Sequence, residues 1–147
     1  MTTTSRKQEV KIDSGPGNMT LLLGRFPVDD SALSDLHARA FGHPVSLVPW
    51  AQRLERHALT WVGAFDGDKL VGFVQVCWDG GVHAILLDTV VDPNAQRRGI
   101  GSALVRRAVE EARAAGCEWL HVDYEPHLAS FYEGCGFQST QAGLIRL

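Results

Sequence analysis

Residues 96–102 combine arginines and glycines at a spacing that can hold an anion. In order they are Gln96, Arg97, Arg98, Gly99, Ile100, Gly101 and Ser102. They follow a predicted strand that Pro93 ends, and they open the clearest helix of the sequence. The first amides of a helix have no intrahelical acceptor and carry partial positive charge. Glycines admit a close backbone approach and arginines suit phosphate, so the run predicts a phosphate-binding loop.

Two other nucleotide-binding patterns do not fit this loop. A dinucleotide-binding fingerprint needs a small residue where Leu104 stands, and a Walker loop needs a Gly-Lys-Ser/Thr triplet that the sequence lacks. Two glycines two residues apart are common by chance, so the position between a strand and a helix carries the argument. The alternative, a glycine-rich helix start with solvated arginines, stays open.

Strands and helices alternate around the loop. The predicted strands cover residues 20–25, 59–65, 70–78, 82–91, 119–124 and 144–147. One predicted helix lies between Asp29 and Gly42, and the others cover about 48–56, 99–115 and 126–135. The order β-αα-βββ-α-β-α-β predicts an α/β fold, a mixed sheet with helices on both faces. Strands 82–91 and 119–124 should be parallel, because a helix connects them.

Composition limits the function classes. The chain has 147 residues, 45% of them apolar, and a formal net charge of −3. We expect one domain over residues 19–147 and a flexible N-terminal extension over residues 1–18, with Met19 as a possible alternative start. No global basic field exists for nucleic acid, and no apolar run is long enough to span a membrane. An anionic ligand must therefore be captured locally.

The three cysteines indicate the compartment. Cys77, Cys117 and Cys135 cannot all pair with one another, and the N-terminus has no secretory pattern. We therefore expect reduced thiols in a cytoplasmic protein. No CxxC spacing occurs, and we expect no metal.

Two motifs together resemble the GNAT superfamily of N-acetyltransferases. The first is Val91-Asp92-Pro93 followed by Gln96-x-x-Gly99-x-Gly101, which looks like the family's acetyl-CoA loop. The second is the run of residues 131–137, Phe-Tyr-Glu-Gly-Cys-Gly-Phe, which resembles the family's downstream signature. The motifs occur in the family's order, separated by a predicted helix and strand, and the resemblance covers about residues 20–147.

The resemblance implies how acetyl-CoA, as co-substrate, would be held. Backbone amides of the loop would bind the CoA pyrophosphate, and arginine side chains would add positive charge. The preceding strand would bulge, and residues 89–91 would pair with the pantetheine arm. An N–H near Val90 or Val91 would polarise the acetyl carbonyl, although both residues can equally be buried strand residues. The two central parallel strands should splay around the cofactor.

The same resemblance implies candidate catalytic residues. Tyr132 aligns with the tyrosine that often protonates the departing thiolate, and the alternative is a packed helix aromatic. The family's usual glutamate position holds Ile85, so the general base is open among three residues. They are His83, Asp88 and Glu125. Asp88 would face away from the cofactor unless the bulge rotates it. Each has a non-catalytic alternative: His83 as a surface histidine, Asp88 as a strand-edge aspartate and Glu125 as a helix N-terminal glutamate.

Two functions follow from the resemblance. The first is transfer of an acetyl group from acetyl-CoA to an amine of a small molecule or peptide, by direct attack without an acyl-enzyme. The second is a catalytically inactive domain that binds acyl-CoA. The negative charge favours a cationic amine, and a homodimer is possible because family members often dimerise.

Overall fold

The computed structural model describes residues 9–147. Six strands form one sheet in chain order, and only β5 and β6 are parallel. The strands are β1 (Glu9–Asp13), β2 (Met19–Gly24), β3 (Ala58–Asp66), β4 (Lys69–Trp78), β5 (His83–Val91) and β6 (Trp119–Val122). The helices are α1 (Asp30–Phe41), α2 (Trp50–His57), α3 (Ile100–Ala114) and α4 (Ala129–Gly134). Short 3₁₀ turns cover Pro93–Ala95 and Pro126–Leu128. The predicted mixed α/β sheet is confirmed.

Local turn and capping chemistry sets most boundaries. The Asp29 carboxylate caps α1 by accepting a hydrogen bond of 3.0 Å from the Ala32 N–H, and Gly42 ends the helix at a φ of 73°. Gly67, at a φ of 58°, turns the β3–β4 hairpin. These positions are among those the sequence analysis used, which is why the predicted and observed elements agree closely there.

The sheet separates two apolar cores. One lies under α3 and α4 and includes Leu86, Leu104 and Tyr132. The other lies under α1 and α2 and includes Leu36, Trp50 and Phe73. Helices on both faces match the sequence prediction, and β5 belongs to both cores, through Leu86 to one and Val90 to the other.

The two parallel strands, β5 and β6, are paired only over their first four residues. Their pairing runs from His83 opposite Trp119 to Leu86 opposite Val122, where β6 ends, while β5 continues to Val91 beside β4. The predicted parallel pair and its splay at the carboxyl ends are therefore confirmed. The gap between the diverging strands is where a ligand of such a sheet binds.

The structure contains a strand within the segment that the sequence predicted to be a flexible extension. Within residues 9–18, which are the described part of it, Glu9–Asp13 forms β1 and pairs antiparallel with β2. Residues 1–8 lie outside the described part of the chain. The strand escaped prediction because its side chains are mostly exposed, so it lacks a clear apolar pattern. It forms because β2 offers an open edge and a glycine-containing turn returns the chain.

The predicted strand at residues 144–147 does not form. Leu144 and Ile145 are each 84% exposed, so neither a neighbouring strand nor a core packs against them. A strand needs a hydrogen-bonding partner, and β-propensity alone does not supply one. Among the described helices, none has the length and hydrophobicity to cross a membrane.

Candidate active site

The glycine loop is built as an open helix start. Asp92 follows β5 and accepts a hydrogen bond from the Asn94 N–H, Gly99 takes a left-handed φ of 77°, and α3 begins at Ile100. The first main-chain bond of α3 runs from the Ala103 N–H to the Gly99 carbonyl. The amides of residues 99–102 therefore precede the helical ladder and are the donors an anion would meet.

The Arg98 side chain does not point at that anion site. Its guanidinium donates to the Asp66 carboxylate at 2.8 Å and to the Ser14 and Thr20 hydroxyls at 2.6 and 3.0 Å. It also donates to the Ser14 carbonyl at 3.1 Å. The expected phosphate-directed charge of Arg98 is thus committed to holding the N-terminal hairpin against the loop. Arg98 can serve a ligand through its backbone, as the resemblance implied, but its side chain is structural.

Gln96 and Arg97 lie on the outer surface of the loop, and both are exposed. Arg97 has a left-handed φ of 63°, which is uncommon for a residue with a side chain. Among the described residues it has no ion-pair partner, so its positive charge is available to solvent and ligands. Ser102 and Gly101 are half-buried in the first turn of α3.

A buried carboxylate anchors the loop to α1. Asp92 has a side chain only 1% exposed, 2.8 Å from Arg39 and 3.6 Å from Lys69. Burial alone would raise the pKa of Asp92, but the Asn94 N–H and the Arg39 guanidinium outweigh it, and the pKa is lowered overall. The carboxylate is therefore ionised at neutral pH and fixes the position of the loop.

A β-bulge turns the side chains near the end of β5. Phe73 pairs with Val90 and Gln75 pairs with Leu87, so Asp88 and Thr89 together oppose one residue of β4. Asp88 takes a left-handed φ of 56°. Beyond the bulge, Val90 is buried against the α1 and α2 core, and Val91 packs on the other core. The bulge that the resemblance implied is present.

A cleft of about 250 Å³ opens where β5 and β6 diverge. Its wall mixes apolar side chains with acidic and aromatic ones. The lining residues are Phe41, Leu86, Leu87, Asp88, Thr89, Val122, Asp123, Tyr124, Glu125, Leu128, Tyr132 and Leu144. Three of the predicted catalytic residues are thus brought to one cleft at the carboxyl ends of two parallel strands.

Tyr132 lies at the base of this cleft. Its ring is buried and stacks on Tyr124 with centroids 5.0 Å apart. Burial raises the pKa of Tyr132, and a hydrogen bond with the Thr89 side chain partly opposes that rise. The phenol therefore stays protonated at neutral pH and can donate a proton into the cleft.

The bulge rotates Asp88 toward α1. One carboxylate oxygen is 3.0 Å from His37 Nε2, and the other accepts a hydrogen bond of 2.6 Å from the Gln75 side-chain amide. The sequence predicted that Asp88 would face away from the cofactor unless the bulge rotated it, and the bulge does rotate it. The carboxylate lines the cleft, and His37 and Gln75 orient it. A carboxylate held in this way has further lone pairs with which to accept a proton.

Glu125 lines the cleft, whereas His83 lies at the far end of β5. Glu125 is exposed at the end of the β6 segment and lines the cleft. His83 opens β5, where its Nδ1 is 2.8 Å from His121 Nε2. It lies five residues before Asp88, about 16 Å along an extended strand. The structure does not bring His83 to the cleft, because the strands diverge only at their other ends.

Two site residues escaped the sequence analysis. His37 lies on α1 and Gln75 in the middle of β4, and both reach Asp88 over long sequence separations. Gln75 gave a weak signal, as a polar residue inside an apolar strand. His37 gave none, because its spacing on α1 is that of an ordinary helix residue. Among the described residues, no three His, Cys, Asp or Glu side chains are grouped as a metal site requires.

The chain is similar to known acetyltransferases. Residues 30–137 match the model of a family described as acetyltransferase (GNAT) family. Over 87 residues the chain is 34% identical to GCN5-related N-acetyltransferase 1, chloroplastic, from Arabidopsis thaliana; the match covers 59% of this chain and 44% of that protein. The chain thus spans less than half the length of this curated relative.

Solved structures have the same fold. A putative acetyltransferase from Agrobacterium tumefaciens superposes with a TM-score of 0.76 at 25% identity, over 86% of this chain and 99% of that one. Aminoglycoside N-acetyltransferase AAC(6')-Iy, solved in complex with CoA, superposes with a TM-score of 0.72 at 16% identity, over 90% of this chain and 96% of that one. The family match spans most of the chain, including both motifs and all of the cleft lining except Leu144. This chain belongs to the acetyltransferase (GNAT) family.

Proposed function

We propose that this protein transfers the acetyl group of acetyl-CoA to an amine by direct attack, as an N-acetyltransferase. The observation that carries the proposal is the cleft where β5 and β6 diverge, which has Tyr132 and Asp88 in its wall. The open start of α3, which follows β5 in the chain, supports it as a place for an anion. Family membership supports acetyl-CoA as the co-substrate.

Acetyl-CoA is proposed to enter along the end of β5. The amides of residues 99–102 would hold its pyrophosphate, with Gln96 and Arg97 at the rim and the backbone of Arg98 beside them. The pantetheine arm would run beside β5 after the bulge. There an N–H of Val90 or Val91 would polarise the thioester carbonyl.

Tyr132 is the proposed general acid. When the carbon–sulfur bond breaks, the CoA thiolate takes a proton from the phenol. The phenol ring stacks on Tyr124 and forms a hydrogen bond with the Thr89 side chain, so its position is fixed. A positioned acid of this kind contributes roughly 10²–10⁴ to the rate.

Asp88 is the proposed proton acceptor for the amine. The amine nitrogen attacks the carbonyl carbon in its neutral form, the carbon–nitrogen bond forms as the carbon–sulfur bond breaks, and the nitrogen loses a proton to the carboxylate directly or through water. Glu125 is the second candidate, either as an alternative base or as a charge that binds a cationic amine. Both residues line the cleft, which distinguishes them from His83.

A cationic amine on a small molecule or peptide is the proposed acceptor class. Asp88, Asp123 and Glu125 give the cleft wall negative charge, while Phe41, Leu128 and Leu144 give it apolar surface. Such a wall suits an ammonium group attached to an apolar body. A cytoplasmic location, a homodimer and independence from metal, nucleic acid and membrane remain predictions from the sequence.

A panel assay tests the proposed function. The protein is incubated with acetyl-CoA and a set of amines that includes polyamines, aminoglycosides and peptides with free N-termini. Free CoA thiol and acetylated amine are then measured together. We expect thiol and product in equal amounts with at least one cationic amine. Tight CoA binding without thiol release on any of them would favour the inactive acyl-CoA-binding alternative.

A further inference from the structure

The Arg98 side chain joins separate parts of the chain at one point. Its guanidinium donates to both carboxylate oxygens of Asp66, at 2.8 and 3.1 Å. It also donates to the Ser14 and Thr20 hydroxyls at 2.6 and 3.0 Å, and to the Ser14 carbonyl at 3.1 Å. Ser14 lies in the turn between β1 and β2, Thr20 in β2, and Asp66 at the end of β3. We call these four residues the Arg98 cluster.

Most of the Arg98 cluster is shielded from water. Thr20 is fully buried, Ser14 is 2% exposed and the Arg98 side chain is 18% exposed. The Ser14 and Thr20 hydroxyl oxygens are 2.6 Å apart, and Thr20 donates to Asp66 at 2.7 Å. Hydrogen bonds to a charged group are stronger than neutral ones, and the low local dielectric strengthens them further. The guanidinium is therefore held in one place, and so is the backbone that carries it.

Arg98 immediately precedes the amides that the proposed function assigns to phosphate. Its neighbours Arg97 and Gly99 take left-handed φ values of 63° and 77°, and α3 begins directly after Gly99. A left-handed conformation is unfavourable for a residue with a side chain, so the contacts around Arg97 must hold it. At the other end of the loop, Arg39 fixes the buried Asp92 carboxylate. The glycine loop is thus anchored at both ends.

Half of the Arg98 cluster comes from residues that precede the family match. The match begins at residue 30, whereas Ser14 and Thr20 belong to the hairpin of β1 and β2. The hairpin is itself held in place, because β2 pairs with β3 and Ile12 packs on the core under α3 and α4. An element of this chain that lies outside the family match therefore reaches the proposed cofactor loop.

We propose that the β1–β2 hairpin sets the affinity for acetyl-CoA by holding the glycine loop, through Arg98, in the shape that binds phosphate. The inference rests on the proposed function, because it takes the amides of residues 99–102 as the phosphate donors. Arg98 is a positioning residue in this scheme, since its side chain contacts the hairpin and acts on the ligand through the backbone. Donors that are already ordered bind a ligand more tightly than donors that must first be ordered. Loosening the cluster should therefore weaken CoA binding and leave the chemical step unchanged.

The coupling between hairpin and loop must act in both directions. If the hairpin improves CoA binding, bound CoA stabilises the hairpin by the same factor. Two amides of the turn can report this, because the Ser14 N–H donates to the Asn18 carbonyl at 3.0 Å and the Asn18 N–H donates to the Gly15 carbonyl at 2.9 Å. We expect both amides to exchange with solvent deuterium more slowly when CoA is added.

Calorimetry of CoA binding to variants of the full chain tests the proposal. Thr20→Val nearly keeps the shape of the side chain and removes the hydroxyl that contacts Arg98 and Asp66. We expect it to bind CoA about tenfold more weakly and to raise the KM for acetyl-CoA, with kcat unchanged. Ser14→Ala is the milder second variant, since it removes one hydroxyl from a turn, and it should act in the same direction.

Thr60→Val is the matched control. Thr60 is also a buried strand threonine, and its hydroxyl also donates to a carboxylate, that of Glu111, at 2.8 Å. Glu111 lies on α3, about 18 Å along the helix from the glycine loop. Thr60→Val should therefore lose stability in urea as Thr20→Val does, but it should bind CoA like the unmodified protein.

The outcomes separate the role of the hairpin from the proposed function. CoA affinities of Thr20→Val and Ser14→Ala within about twofold of the unmodified protein, or an equal loss in Thr60→Val, would overturn the hairpin's role and leave acetyl transfer standing. Unchanged exchange of the Ser14 and Asn18 amides on addition of CoA would overturn it as well. If CoA binding depends on the cluster as expected but no amine is acetylated, acetyl transfer is wrong and the hairpin's role stands.

Discussion

At the residue scale, removing the hydroxyl group of Tyr132 distinguishes a catalytic role of the phenol from a packing role of the ring. We expect Tyr132→Phe to lower kcat about 100-fold while leaving the affinity for CoA nearly unchanged, because the ring keeps its stack on Tyr124 and only the proton donor is lost. Steady-state kinetics and calorimetry of CoA binding measure the two effects. Burial raises the pKa of Tyr132, so the donor form persists across neutral pH.

The matched control is Tyr124→Phe. That phenol lines the same cleft but lies 3.4 Å from the Ser139 hydroxyl, away from Thr89. We expect a loss of less than about tenfold in kcat, since the phenol that is removed is not the one proposed to protonate the thiolate. Equal losses in the two variants would assign the Tyr132 effect to packing.

The residue scale is also where the sequence was least informative. The motifs predicted Tyr132 and the loop, because both lie in short, local patterns. The orientation of Asp88 depends on a bulge and on partners 13 and 51 residues away in the chain, and no local pattern encodes such contacts. His83 was a reasonable candidate by residue type, but the place at which two strands diverge is a property of the folded sheet.

At the scale of elements, two glycines of one loop should respond differently to alanine. Gly99 has a φ of 77° with open space around an added Cβ, so Gly99→Ala should cost about 1 kcal/mol of stability through backbone strain. At Gly101 an added Cβ would meet the Phe131 ring at 3.4 Å and Val91 at 3.6 Å, which are ordinary contacts. Gly101→Ala should therefore fold normally and bind CoA about tenfold more weakly, because the added methyl group lies on a residue whose amide is a proposed phosphate donor. Urea unfolding and CoA calorimetry compare them, and unchanged CoA affinity in Gly101→Ala would argue against this phosphate site.

The adjacent arginines offer a second paired prediction. Arg98→Ala removes five hydrogen bonds that join the loop to the N-terminal hairpin and Asp66, so we expect a loss of about 2 kcal/mol in the free energy of unfolding. Arg97→Ala, its exposed neighbour, should change stability by less than about 0.5 kcal/mol. It should instead weaken CoA binding, most strongly at low salt. Equal stability losses would contradict the division of roles between the two side chains.

Elements were predicted well wherever they depend on nearby residues. Helix α3 has a regular apolar stripe and the β3–β4 hairpin has an Asp-Gly turn, so both followed from spacing. The sequence did not predict strand β1, and it wrongly predicted a strand at residues 144–147. Both errors have the same cause. An edge strand exists only if a neighbouring strand accepts it, and a single sequence does not reveal that neighbour.

At the scale of the whole molecule, two carboxylates make stability depend on acidity. The hydrogen bond from Arg98 lowers the pKa of Asp66, and the pKa of Asp92 is also lowered. A folded-state pKa below the ordinary value of 3.8 means that the stabilisation is present above that value and is lost as the pH falls through the folded-state pKa. We therefore expect the free energy of unfolding to fall progressively below about pH 4.

The variant Asp92→Asn checks the origin of that loss. It should be less stable than the unmodified protein at neutral pH, and the difference should shrink as the pH falls and the unmodified carboxylate also becomes neutral. Urea unfolding at about pH 7 and about pH 3 gives both values. A difference that stays constant across this range would show that the Asp92 charge does not contribute.

The central claim is direct acetyl transfer in the cleft between β5 and β6. Acetyl-CoA carrying an isotope-labelled acetyl group, mixed with the protein and an accepted amine, tests it most directly when protein and amine are both weighed by mass spectrometry during the first turnover. The account predicts label on the amine, an equal amount of free CoA, and no labelled protein at any time. Label on the protein before the amine would contradict direct attack, and label that stays on CoA with every amine would contradict acetyl transfer itself.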